Sequence, residues 1–229
     1  MKALFFDAGP VITLVLSRMG WLLPKLKEKF GGEFYITPAV KYELVDRPLT
    51  TKRFQLEALE VMKMIREGVF TIYDKVPEKK VNALKNLANS SFKLGNKNMD
   101  VIQAGEMESV ACALQINAAV VMDERTLRLF IENNSEMQSL LEHRFKKKVT
   151  AHHEKMNFFS EQLKGITIIR SIELVAVAYK RGLLNSYIPP LKNGKSSLLK
   201  AVFWATKFNG CAVTEHEIIE LEKYILKMN

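Results

Sequence analysis

Twice in this chain a short, wholly apolar run ends in a carboxylate. Ala3-Leu4-Phe5-Phe6 is followed by Asp7, with Gly9-Pro10 opening a helix, and Ala118-Ala119-Val120-Val121-Met122 is followed by Asp123. Apolar runs this short, bounded by helix-start signals, read as strands buried on both faces. Such strands belong to parallel sheets covered by helices, and in open parallel sheets ligands bind outside the carboxyl ends of the strands. Taken alone, Asp7 reads as a helix cap accepting backbone N–H bonds near Pro10. Its interest depends on whether other acids reach the same edge.

The intervening chain alternates strand and helix signals. A helix follows Pro10, a short one starts at Pro24 and covers Lys25 to Phe30, and Gly31-Gly32 ends it. Glu33 to Ile36 reads as a strand, and Thr37-Pro38 as N-cap and first position of a helix running to Asp46, closed by Pro48. Residues 52–67 form an amphipathic helix, Val69 to Tyr73 a strand, and Pro77 to Leu94 a further helix. Ala104 to Leu114 carries Glu106 and Glu108 in its opening turn, where the helix dipole favours negative charge. These two are i,i+2, so at most one can face a site shared with Asp123. Regularity falls off over residues 132–165, which read as a helical hairpin or mobile insertion. Ile166 to Ile169 is a strand, Ser171 to Arg181 and Ser197 to Asn209 are helices, and Thr214 with Glu217 makes a capping box for a last helix reaching about Met228.

This alternation predicts a three-layer α/β/α fold with a mostly parallel central sheet, over residues 1–190, and a C-terminal helical extension over 191–229. With 229 residues and 48% hydrophobic content, a full core can be buried. The two cysteines, Cys112 and Cys211, are far apart and have no CxxC partner, so neither a disulfide framework nor a cysteine zinc site is indicated. His152-His153 lacks a matching ligand set. No apolar run approaches the roughly 20 residues that cross a bilayer, and no cleavable signal precedes the first strand. A cytoplasmic protein without a membrane partner is expected. The formal charge of +9 favours polyanionic partners, and Arg144, Lys146 and Lys147 beside Phe145 could grip a phosphate backbone.

If the first strand and the one at 118–122 are neighbours, Asp7, Glu43, Glu108 and Asp123 surround one cleft. Read singly, Glu43 is a solvated partner of Arg47. Together, four carboxylates with no compensating histidine or cysteine repel one another unless cations lie between them. Hard oxygen donors select Mg2+ or Mn2+, and such ions bind phosphates and activate water for phosphodiester hydrolysis.

Asp7-Ala8-Gly9-Pro10-Val11-Ile12, Ile36 to Leu44, Gly105-Glu106-Met107-Glu108 and Met122-Asp123-Glu124-Arg125 with Arg128 resemble, in order and spacing, the successive motifs of PIN-like domains. The similarity is strongest to a subgroup with Asp-Ala-Ser-Pro and Gly-Glu-x-Glu motifs, and Ile172 to Leu184 looks like that subgroup's last helix. The resemblance covers residues 1–131 and 166–190. It implies a magnesium- or manganese-dependent ribonuclease of toxin or RNA-processing type. Asp7, Glu43, Glu108 and Asp123 match its metal-binding catalytic acids, Glu106 and Glu124 match extra acids, and Arg125 and Arg128 lie where RNA would approach. It also leaves open a homodimer and a small antitoxin-like protein partner. Gly9 departs from the pattern, standing where a serine is common, and the 132–165 segment and the tail are longer than in compact toxin members.

Two alternatives remain at this stage. A PIN-like module could bind RNA or a protein without cleaving. A haloacid dehalogenase-type phosphatase also begins with a buried strand and an aspartate, but needs a second aspartate where Gly9 stands.

Overall fold

The computed structural model describes residues 2–132 and 135–227. The chain opens with β1 (Ala3–Phe6), α1 (Ala8–Leu16), α2 (Leu22–Phe30), β2 (Glu33–Ile36) and α3 (Pro38–Lys41). A π-helical turn, Tyr42–Asp46, leads into α4 (Arg47–Leu49), followed by α5 (Gln55–Arg66), β3 (Thr71–Ile72) and α6 (Glu78–Asn89). The middle comprises β4 (Phe92–Leu94), β5 (Lys97–Asn98), α7 (Ala104–Ile116), β6 (Ala119–Val121), α8 (Arg125–Glu132), α9 (Ser135–Phe145), β7 (Thr150–Ala151) and α10 (His153–Gln162). The chain closes with β8 (Ile168–Ile169), α11 (Ser171–Lys180), α12 (Gly194–Phe208) and α13 (Glu215–Lys227).

The main sheet is five-stranded and all parallel, in the order β3-β2-β1-β6-β8. From β1 the chain moves outward in one direction through β2 and β3, then returns to β6 and moves outward in the other. The switch point therefore lies between β1 and β6, the place where an open α/β sheet leaves a crevice at its carboxyl edge. Register puts Phe6 beside Val121, and the Asp7 N–H donates to Val121 O at 2.9 Å, so Asp7 and Asp123 leave the sheet side by side.

Alternation along the buried strands feeds two cores, one on each face. Leu4, Phe6, Phe34, Ile36 and Val121 point into one, and Phe5, Val120 and Met122 into the other. The Phe6 ring sits 4.8 Å from Phe34 and 5.2 Å from Phe70, centre to centre, within the range of favourable aromatic pairs. Leu198, Leu199, Phe203, Ile218 and Ile225 from α12 and α13 belong to the same core as Phe6. The tail is thus packed onto the sheet domain.

Several elements differ from the sequence expectation. The helix beginning at Pro77 stops at Asn89, because Phe92 is pulled into the second core against Phe130 (5.6 Å) and Gly95, at φ 60°, turns the chain back. The resulting hairpin pairs with β7 to give a three-stranded antiparallel sheet, order β5-β4-β7. Pro48 does not close the helix that starts at Thr37. The π-helical turn lets the Arg47 N–H reach Tyr42 O, and Pro48 sits in the first turn of α4, where a missing N–H costs little. The strand expected over Val69 to Tyr73 is confined to Thr71–Ile72. The 132–165 segment forms α9, β7 and α10, and Met137, Leu141 and Phe159 bury it in the second core. Asn133 and Asn134 within that segment, and Met228 at the expected end of the last helix, lie outside the described residues.

Candidate functional site

Asp7 occupies the N-cap of α1, with extended backbone (φ −75°, ψ 164°), and its Oδ2 accepts the Gly9 N–H at 3.3 Å. It is a cap, and a buried one. Burial pushes its pKa up from 3.8 to about 6, against the pull of the Gly9 and Ala8 N–H groups, and the charges of Glu43 and Asp123 push the same way.

Asp123 follows β6 and is 3% exposed. Its Oδ1 accepts the Ser171 N–H at 2.8 Å, at the start of α11. No hydrogen-bond partner reaches Oδ2. Its backbone carbonyl accepts the Ala212 N–H at 3.2 Å, and the Cys211 thiol lies beside the carboxylate, with its own pKa driven up to about 12 by burial and by the Asp123 charge. A buried carboxylate oxygen without a donor is costly, and native structures rarely tolerate one without a compensating group.

The remaining acids come from helices at the same edge. Glu43, in the π-helical turn, leans over Gly105 of α7: a Cβ added there would stand 3.0 Å from Glu43 Oε1. Burial raises the Glu43 pKa, the Arg47 charge lowers it and Glu108 raises it again. Glu106, in the first turn of α7, accepts the Gln103 N–H through Oε2 at 2.9 Å. Burial lifts its pKa to about 7 against that hydrogen bond, with further contributions from Asp7, Glu124 and Glu43. Glu108 turns the other way and accepts the Ala39 N–H at 3.2 Å, bracing α3 from α7. Glu124 caps α8, its two oxygens accepting Thr126 Oγ1 (2.6 Å) and the Leu127 N–H (3.1 Å).

All six acids therefore gather at the switch point, but in two groups. Asp7, Glu43, Glu106, Asp123 and Glu124 are linked by mutual repulsion, whereas Glu108 couples to Glu43 alone among them. Among the described residues no group of three or more His, Cys, Asp or Glu side chains is arranged to hold a metal ion. Five of the six, all but Glu43, accept backbone N–H groups as helix caps or braces instead.

The predicted basic residues are dispersed. Arg128 is largely covered, pairing with Glu217 (3.4 Å) and reaching Ala212 O at 3.5 Å, and Arg125 stands 4.0 Å from Glu136. Both line a cavity between α8 and the tail that Lys207 and Glu217 complete. Arg144, Lys146 and Lys147 are exposed at the end of α9 and form no ion pair with the six acids. Sequence reasoning missed Ser171, Cys211 and Ala212. They reach Asp123 through tertiary packing, and only the Thr214–Glu217 capping box, which is present, marked where the tail would turn.

No helix among the described residues is long and apolar enough to cross a membrane. No family model, curated protein or solved structure gives a significant match to this chain.

Proposed function

We propose that this protein is a ribonuclease dependent on a divalent metal, hydrolysing RNA phosphodiester bonds at the carboxyl edge between β1 and β6. The observation that carries the reading is the pair of buried aspartates at the switch point. Burial and its acidic neighbours raise the Asp7 pKa to about 6, so its charge is poorly stabilised, and Asp123 Oδ2 has no donor within hydrogen-bond geometry, with only the weak Cys211 thiol beside the carboxylate. Both deficits are those a cation relieves. The donor set is all oxygen, which suits magnesium or manganese. Such an ion, when bound, neutralises phosphate charge and activates the attacking water.

Asp7 and Asp123 would hold the ion, and Glu43 and Glu106, whose charges act on Asp7 but which are not arranged around a common ion position, would have to turn toward it to complete its shell. Glu106 keeps one oxygen on the Gln103 N–H, which leaves Oε1 to ligate the ion or to orient its water. The net charge of +9 favours a polyanionic substrate, and the four motifs that resemble PIN-like domains favour RNA.

A second reading is a non-catalytic RNA-binding or protein-interaction module. The engagement of Glu106, Glu108 and Glu124 with backbone N–H groups favours it. Calorimetric titration of manganese into wild type and Asp7→Asn, beside cleavage of a labelled RNA, separates the two. Metal binding that the variant loses, together with metal-dependent cleavage, supports the nuclease. Absence of metal binding in the wild type leaves the non-catalytic module.

A further inference from the structure

A cleft of about 410 Å³ opens between α1 and α5. Its floor is apolar, with Ile12, Leu44 and Val61, and its wall on one side is Glu43, the same residue that faces Asp7 and Gly105 in the acidic site. Arg47, one turn on from Glu43 and acting on its charge, lines the cleft too, as do Arg53, Phe54 and a second carboxylate, Glu57. Phe54 is 41% exposed and adopts a left-handed backbone (φ 66°), a conformation that bulky residues avoid. The Arg53 guanidinium lies 4.5 Å from its ring centre and holds the ring at the mouth of the cleft.

We propose that this cleft is a nucleobase subsite, seating a base of single-stranded RNA next to the phosphate held at the acids. The inference rests on the nuclease reading for the identity of the neighbouring site. An apolar slot of this size, with one aromatic face and a rim of two cations and two carboxylates, has the composition of a ligand pocket and of the stacking platforms that hold single strands. Arg53, on the Phe54 ring, complements a phosphate beside the seated base, while Arg47 offsets the Glu43 charge. Glu43 joins the two sites, so a strand engaged at the acids passes directly along the lip. Base–aromatic stacking tolerates every base, so the subsite selects unpaired RNA over duplex without selecting sequence.

The test is fluorescence anisotropy of an end-labelled oligouridylate with the full-length protein in EDTA. Wild type is compared with Phe54→Ala, Arg53→Gln and, as a control, Leu56→Ala, an exposed residue of α5 outside the cleft. Phe54→Ala is expected to weaken binding about five- to a hundredfold, the range measured for losing one stacked base, and Leu56→Ala to leave it unchanged. Loss in Arg53→Gln that shrinks with added salt identifies the phosphate contact. Unchanged binding in both Phe54→Ala and Arg53→Gln overturns the subsite, even where the wild type cleaves RNA with manganese. Failure of the wild type to bind the oligouridylate in EDTA and equally in manganese overturns it as well. Binding that depends on Phe54, without cleavage by the wild type in manganese, upholds the subsite and sinks the nuclease reading instead. If Phe54→Ala alters only self-association in sedimentation velocity, the cleft is an interface between copies and the proposal fails.

Discussion

The Ser171 N–H donates to Asp123 Oδ1 across 48 residues of chain, at 2.8 Å, and fastens the end of β6 to the start of α11. An amide oxygen can accept the same bond. Asp123→Asn therefore keeps the fold, while the charge at Oδ2 disappears. Metal-dependent RNA cleavage should fall by at least the roughly ten- to hundredfold typical of losing even an outer-shell partner. Thermal melting in EDTA should change little. Cleavage at the wild-type rate would remove Asp123 from the site.

Asp7 makes stability depend on pH in a particular direction. Its pKa is higher in the folded protein (about 6) than its usual 3.8, so the folded state holds the proton more tightly. The Asp7 contribution to stability is then most favourable below pH 4, declines as pH rises from about 4 to 6, and stays reduced above. Asp7→Asn removes that penalty and keeps the acceptor for Gly9. In EDTA at pH 8 the variant should be more stable than wild type, by up to about 3 kcal/mol. On the proposed metal site, added manganese should reverse the order, since it would bind the folded wild type and not the variant. Calorimetric melts across this pH range, with and without metal, check both signs.

Gly9 stands between the two aspartates, and a Cβ there would lie 3.4 Å from Asp7 Oδ2 and 3.7 Å from Asp123 Cβ, ordinary contacts. Serine therefore fits. Its hydroxyl would offer Asp7 a further donor, lowering its pKa, and serine in place of glycine reduces the freedom of the unfolded chain. Gly9→Ser should raise the melting temperature at pH 8 and strengthen manganese binding. A lower melting temperature would show that the space between the acids is tighter than this geometry allows.

Glu217 secures the tail by pairing with Arg170 (2.6 Å) and Arg128 (3.4 Å). Burial alone would raise its pKa, but the Thr214 backbone and hydroxyl and the Arg170 guanidinium lower it to about 2. Its contribution is present above pH 4.5 and is lost as pH falls toward 2. Glu217→Gln leaves Arg170 with Glu173, while Arg128 exchanges its carboxylate for a neutral amide oxygen. The expected cost is about 1 kcal/mol, discounted for partial exposure, read as a lower urea midpoint with unchanged slope.

The sheet and its acidic edge were legible because their signals are local. Phe5-Phe6-Asp7 and Val121-Met122-Asp123 announce buried strands and their endpoints, and the pairing of β1 with β6 followed from the connection rules for parallel sheets. Which glutamate of α7 turns toward Asp7 was not legible. Glu106 and Glu108 differ by two positions, and the choice is made by Gln103 and Ala39, which supply the competing N–H donors. The β4–β5 hairpin was hidden for a similar reason. Phe92 to Leu94 continues a helical pattern, and only the partner strand near Thr150 and the Phe130 ring decide otherwise. Cys211 gave no sign at all of reaching Asp123, since nothing around it in sequence specifies where the tail docks.

The central position of β1 also has a kinetic consequence. It precedes the other strands of its sheet in the chain, yet Phe6 waits more than a hundred residues for Val121, its partner on the far side. Contacts of such long sequence separation slow folding, because loop-closure entropy must be overcome before any burial is gained. Until β6 emerges, Phe5 and Phe6 form one open, strongly apolar strand edge, the kind of surface that chaperones bind and that aggregates when they do not.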